Sequence, residues 1–355
     1  MMERAIPFSL YMQDALYGQD GYYMGSRNRF GKDGDFYTSA QVSPIFGELW
    51  AHFVMQVTTG ERYNIVEMGV GDGDFAASLL AELIRVGDKP IDYAGIELSP
   101  LGRARTTDKL QQVLANGSRV AVCAQVYTNI EEVLIDHPAT FQGGFVFANE
   151  WLDAIPCERL RITADGAVER LWVTTQTNSA VSEWKVTEEP ALLEYAKQWI
   201  VPLLLENDVA QIVTEVSLQS HHAVTQVIDQ LSPSWMALVD YGGHTADVVG
   251  QDRPQGSLRA YREHQLIEDF LNHKGQVDLT YDVDFSPIMS LLEQMGYRNE
   301  LKKQGIFLMT QPFFEQVVNA RSVFDSRVFQ TIKTLVLPGG MGERFFVLIA
   351  ERRQD

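Results

Sequence analysis

The sequence predicts an α/β protein: a mostly parallel sheet with helices on both faces, interrupted by an inserted α+β segment. Three observations predict it. A short apolar run, Tyr63-Asn64-Ile65-Val66, leads into the glycine-rich turn EMGVGDGDF (Glu67 to Phe75), after which apolar residues recur at helical spacing. Strand and helix patterns then alternate as far as Ala148, as parallel strands joined by crossover helices require. The alternation breaks at a hairpin signal around Asp165-Gly166 and resumes with the strand Trp235–Asp240.

Residues 1–62 are dense in aromatics and glycine, and from Ser43 the spacing of Ile45, Phe46, Leu49, Trp50, Phe53 and Val54 reads as an amphipathic helix. Strands are expected at Tyr63–Met68, Asp92–Leu98, Arg119–Ala124 and Gly144–Ala148. Helices are expected at Asp74–Val86, Ser99–Leu114 and Asn129–Asp136. ERLRITADGAVERLWVTT alternates apolar and polar residues as a hairpin does; a helix (EEPALLEYAKQWIVPLLLE), a strand (QIVTEVS) and a helix beginning LQSHHAVTQVIDQL follow. Residues 156–234 therefore read as an insertion, a cap beside the ligand crevice. The resulting plan is an N-terminal part over 1–62, a core of 63–155 and 235–355, and the insertion. Toward the C-terminus, DFSPIMSLLEQMGY and VFDSRVFQTIKTLV read as helices, IFLMT and RFFVLIAE as strands.

A chain of 355 residues holds one large domain with insertions or two smaller ones. Its hydrophobic content of 45% and charged content of 21% are those of a soluble globular protein. The net charge of −18 disfavours broad contact with nucleic acid or anionic membrane. A basic protein substrate is compatible with it, but a plain solvated acidic surface is the simpler explanation. Cys123 and Cys157 form no C-x-x-C pair, so buried thiols in a reducing compartment are expected, and neither a disulfide nor a metal site. The N-terminus lacks the features of a secretory or transit signal, and no stretch approaches the roughly 20 apolar residues of a membrane span. A cytoplasmic location is expected.

Gly69, Gly71 and Gly73 let the backbone pass close to a ligand. A dinucleotide fingerprint would place its third glycine at position 74, which is Asp74. The acids Glu67, Asp72 and Asp74 suit a cationic or neutral ligand better than a pyrophosphate. Thirty residues on, Glu97 ends a second strand in GIELSP, where a carboxylate can accept both hydroxyl hydrogens of a ribose or cap the following helix. The fourth strand ends in NEWLDAIP, whose Asn149, Glu150 and Asp153 could meet ligand or substrate, or serve as helix caps. GKDGDFYTS (Gly31 to Ser39) reads as a turn or as a lid over the ligand. No histidine has metal-ligand spacing, and no metal is expected.

The ordered segments IPFSLYMQDALYGQDGYY, FGKDGDFYTS, EMGVGDGDF, GIELSP, NEWLDAIP, VDYG followed by GSLRAYREH, DLTYDVDFSPI and PGGMGERFFVL together resemble the MidA-like S-adenosylmethionine (SAM)-dependent methyltransferases, over nearly the whole chain. That family has bacterial members and mitochondrial members linked to respiratory complex I assembly. The resemblance implies a Rossmann-like methyltransferase core with an inserted cap and an N-terminal lid. It implies SAM as cofactor, with Glu67, Gly69, Gly71 and Gly73 around its methionine portion, Glu97 on the ribose, and Leu98 and Ser99 beside the adenosine. Asp35, Thr38 and Ser39 would belong to the covering loop, and Asn149 and Glu150 would lie near the reactive methyl. The chain departs from the family pattern at Val70, where proline is more usual, and at the additional acid Asp72.

The mitochondrial relatives imply an arginine of a protein partner as methyl acceptor. Arginine stays charged, so carboxylates must orient it and take its proton; Glu150 and Asp153 are the catalytic candidates. Two alternatives stand beside this reading: a SAM-binding assembly protein that has lost catalysis, and a nicotinamide-dependent oxidoreductase. The sequence leaves the oligomeric state open.

Overall fold

The computed structural model describes residues 5–25, 44–175, 179–250, 253–322 and 326–353. They divide into two compact units. One comprises 26–151, 225–240 and 292–355; the other comprises 1–25, 152–224 and 241–291.

The first unit is built on a sheet whose strands are β1 (Tyr63–Met68), β2 (Ile91–Ile96), β3 (Val122–Tyr127), β4 (Phe145–Asn149), β5 (Trp235–Gly243), β6 (Tyr297–Lys303) and β7 (Phe345–Arg352). Their spatial order is β3-β2-β1-β4-β5-β7-β6. The pairs from β3 to β5 are parallel, and β6 runs antiparallel to β7. The order reverses between β1 and β4, and such a switch point opens a crevice at the carboxyl ends of the strands. Helices α1 (Pro44–Val57), α2 (Asp74–Val86), α3 (Pro100–Ala115) and α4 (Ile130–Asp136) belong to this unit. Helix α1 reaches α2 closely because position 47 is glycine: a Cβ there would lie 2.8 Å from the Leu79 nitrogen. Under the start of α2, Phe75 stacks on Phe147 at 4.2 Å, and Trp50 meets the same ring at 4.7 Å.

The expected strands and helices of this core are present to within a few residues. One expectation is overturned. IFLMT lies in a helix, α5 (Gln304–Met309), which buries Gln304, Phe307 and Leu308 while exposing Ile306 and Met309. That is a helical period, and a five-residue apolar run alone does not distinguish it from a buried strand. The strand in this region is the more polar β6, an edge strand whose charges face solvent.

In the second unit, Glu158–Thr163 and Val168–Thr175 form the expected hairpin. Gln211–Val216 pairs with the first of these strands, while Ala5–Pro7 and Ala180–Val186 pair with the second. Leu192, Ile200 and Leu204 cover one core of this sheet from the helical stretch 190–206, whose middle, Ala196–Ile200, is a π-turn. The unit is larger than the insertion read from sequence, because it also takes in 5–25 and 241–291. One antiparallel pairing joins the N-terminal part to the insertion: Ala5–Pro7 pairs with Trp172–Thr174.

Candidate functional site

Strand β1 ends in Glu67 and Met68, and the chain then turns through three glycines in the left-handed region, Gly69 (φ 67°), Gly71 (φ 62°) and Gly73 (φ 82°). The turn is fixed to the neighbouring strand: the N–H groups of Gly69 and Val70 both donate to the Ile96 carbonyl, at 2.9 and 3.1 Å. Gly73 caps α2, and a Cβ there would lie 2.8 Å from the Thr106 backbone. Opposite the loop, Gly102 of α3 provides the matching gap; its Cβ would meet the Gly71 carbonyl at 2.7 Å and Glu97 Cγ at 2.9 Å.

Glu97 stands just past β2 and locks this loop. Its Oε2 accepts from Gly71 N–H at 2.8 Å and its Oε1 from Ser99 N–H at 2.7 Å. A carboxylate has about four acceptor positions, so roughly two remain for a ligand's hydroxyls. The helix cap is Ser99 itself, whose hydroxyl accepts from Gly102 N–H at 3.2 Å. Burial raises the Glu97 pKa, while the Ser99 and Gly71 N–H groups pull it down. Leu98 beside it is 49% exposed, an apolar surface at the rim.

Glu67 is 3% exposed. The Tyr93 hydroxyl donates to its Oε2 at 2.6 Å. Burial lifts its carboxyl to about 8, the Tyr93 hydrogen bond opposes the rise, and the charge of Glu97 adds to it. The outer acids of the loop are treated differently. Lys109 reaches Asp74 at 2.5 Å and Asp72 at 3.4 Å, so the extra acid Asp72 has a cation beside it. Asp74 is the first residue of α2.

At the end of β4, Asn149 Nδ2 donates to Glu150 Oε1 at 3.0 Å, while Asn149 Oδ1 is buried without a hydrogen-bond partner among the described residues. Glu150 has φ 51°, and its N–H donates to the Val239 carbonyl at 2.9 Å. A left-handed non-glycine residue costs on the order of 1–3 kcal/mol and clusters at functional sites. Trp151 follows; a Cβ on Gly69 would lie 3.1 Å from its Cδ1.

The structure thus brings Glu67, Gly69, Gly71, Gly73, Glu97, Leu98, Ser99, Asn149 and Glu150 onto one unit, at the carboxyl ends of β1, β2 and β4. Asp153 belongs to the other unit. There it accepts from the Thr280 hydroxyl at 2.6 Å; burial lifts it to about 6, against that hydrogen bond and the charge of Arg259. Neither Asn149 nor Asp153 caps a helix. Asp35, Thr38 and Ser39 lie outside the described residues. Sequence reasoning missed Tyr93, Gly102 and Thr106, which sit inside an ordinary strand and helix and carry no motif.

These residues fit the cofactor that the family resemblance implies. The left-handed glycines admit a ligand where side chains would not, Glu97 has acceptor capacity to spare, and the Asn149 oxygen calls for a donor. Among the described residues no group of acids, histidines and cysteines has the geometry to hold a metal, and no helix is long and apolar enough to cross a membrane.

Comparison with known proteins agrees with this geometry. The family model described as "Putative S-adenosyl-L-methionine-dependent methyltransferase" matches residues 46–306. The mitochondrial protein arginine methyltransferase NDUFAF7 homolog of Drosophila melanogaster is 26% identical over 96% of this chain and 80% of its own length. The Caenorhabditis elegans homolog is 26% identical over 78% of this chain, and the match spans only 65% of that protein. A crystal structure of a Burkholderia thailandensis protein bound to S-adenosyl-homocysteine superposes with a TM-score of 0.81 at 24% identity, covering 98% of this chain and 88% of that one.

Proposed function

The chain belongs to the S-adenosyl-L-methionine-dependent methyltransferase family, and from that premise we propose that it methylates an arginine side chain of a protein partner. SAM is its cofactor. The cofactor supplies an electrophilic methyl group on a sulfonium, and the chain's own residues must hold the acceptor in line with it and keep water away. Support for the acceptor comes from the curated relatives, which are named as protein arginine methyltransferases.

One observation carries the catalytic assignment. Glu150 is held in a left-handed conformation directly after β4, with Asn149 donating to its carboxylate. In this reading the Glu150 carboxylate orients the guanidinium through charge-assisted hydrogen bonds. It then accepts the proton that the attacking nitrogen loses as the methyl carbon bonds to it and the carbon–sulfur bond breaks. Asp153, the other acid read from the sequence as catalytic, lies in the other unit and is engaged by Thr280, so the assignment rests on Glu150. Asn149 Oδ1, buried without a hydrogen-bond partner among the described residues, would accept from the bound cofactor.

Incubation with methyl-labelled SAM and extract of the source cells, followed by mass spectrometry, tests the acceptor: label on protein arginine is expected, and label on another residue or on a metabolite overturns it. For Glu150→Gln, SAM affinity by calorimetry should stay within about twofold, while transfer falls about 100-fold or more. Transfer at the wild-type rate would remove Glu150 from the mechanism.

A further inference from the structure

Among the described residues, one acid of the glycine loop, Glu67, is buried without a cation beside it. Glu67 is held by the Tyr93 hydroxyl on β2, and its other charged neighbour is Glu97, past the end of the same strand. Among the described residues the cations nearby serve other groups, and the charge of Arg103 acts on Glu97. Arg103 donates to the carbonyls of Glu97 and Leu98 at 2.7 and 2.8 Å, and Lys109 serves Asp72 and Asp74. Register places Glu67 opposite Gly95 on β2, two residues before Glu97, so both carboxylates stand at one end of the sheet.

We propose that Glu67, buried beside Glu97 and held by Tyr93, makes the loop a charge-reading site that takes the positively charged methyl donor in exchange for a proton and holds the neutral thioether product less tightly. The physical reason is desolvation. A buried carboxylate without a counter-charge keeps its proton, and an arriving positive charge supplies the stabilisation that lets the proton leave. S-adenosyl-L-methionine carries the sulfonium charge; S-adenosylhomocysteine has lost it. Glu67 therefore favours donor over product, and Tyr93 is a positioning residue that fixes the orientation of its carboxyl. The raised pKa of Glu67, about 8, places this exchange near neutral pH.

Calorimetric titration of the full chain in buffers of different ionisation enthalpy reads the protons exchanged. At pH 7 the donor should release close to one proton that is absent in Glu67→Gln. Its affinity should rise about tenfold from pH 6 to pH 7 and level off above about pH 8. The product should release fewer protons and show a flatter profile. Tyr93→Phe removes the hydrogen bond that favours the ionised form, so the donor's pH profile should shift to higher pH; this variant decides the matter if Glu67→Gln does not fold. Donor binding without proton exchange between pH 6 and 8, or equal exchange for donor and product, overturns the proposal. The inference rests on the cofactor and not on the acceptor, so loss of the arginine reading leaves it standing. Absence of any donor binding would overturn both the cofactor assignment and this site.

Discussion

Four buried acids, three in one unit and one in the other, are held in opposite ways. In the unit that holds the insertion, Glu158 is met by Arg170 and the Ser9 hydroxyl, Glu215 by Arg159 and Ser257, and Asp282 by Arg253 and Arg259. These acids are 7%, 4% and 7% exposed, and each has its counter-charge inside the protein. In the unit that holds the sheet, Glu67 is equally buried and has a phenol and a second acid. Burying a charge is costly unless it is paired. The three paired acids are complete within the fold, whereas Glu67, with no cation beside it among the described residues, stands where a cationic ligand would complete the pairing.

Breaking a completed pair should have the largest effect. Arg170→Met leaves Glu158 buried without its guanidinium, and removing one partner of such a pair costs about 3–5 kcal/mol. Chemical denaturation should show that loss in the unfolding midpoint. A loss below about 1 kcal/mol would mean that the arginine contributes no more than an exposed pair does.

Changing the unpaired acid should act in the other direction. The folded-state pKa of Glu67 lies above its ordinary value of 4.5, at about 8. The folded protein therefore keeps a proton that the unfolded chain gives up. Its stabilising contribution is intact below about pH 4.5 and is lost as pH rises toward 8, by at most about 1.4 kcal/mol per unit. Thermal melts of the cofactor-free protein should thus fall between pH 6 and 8 more steeply than those of Glu67→Gln. Parallel curves would show that Glu67 is already ionised in the folded state.

Between these extremes lies the loop backbone. Gly73→Ala forces a Cβ onto φ 82° and to within 2.8 Å of the Thr106 backbone. The left-handed conformation alone costs about 1–2 kcal/mol, and the displaced loop should also weaken donor binding. Unchanged melting and unchanged calorimetric affinity together would show that the loop does not need its observed shape.

What could be read from the sequence follows the same division. The strand-loop-helix at 63–86 was legible because a short apolar run and a period-3.6 pattern flank three glycines, which take up a left-handed turn. Glu97 was legible because its spacing placed it at a strand end. Tyr93 was not: an aromatic in an apolar strand looks like core until its hydroxyl is seen on Glu67. Gly102 and Thr106 were hidden for a similar reason, since their role is to make room across α3 for a loop 30 residues earlier in the chain. The left-handed Glu150 had no sequence signal, because glutamate rarely adopts that conformation and only the fold around it imposes it. The extent of the second unit was unreadable because its strand Ala5–Pro7 pairs with a partner far along the chain.

The smallest expected effect sharpens the comparison from within the loop itself. Lys109 is 30% exposed and pairs with Asp74 and Asp72, acids on the solvent side of the same glycine turn. A pair in water competes with screening and side-chain entropy, so Lys109→Met should change stability by less than about 1 kcal/mol, and less still at high salt. It should leave the proton exchange on donor binding as it was, because Lys109 is not among the groups acting on Glu67. A large loss of donor affinity, measured by the same calorimetry, would mean that the outer acids take part in reading the ligand's charge. The contrast would then run through the whole loop, and Asp72 would act as a third carboxylate of the site.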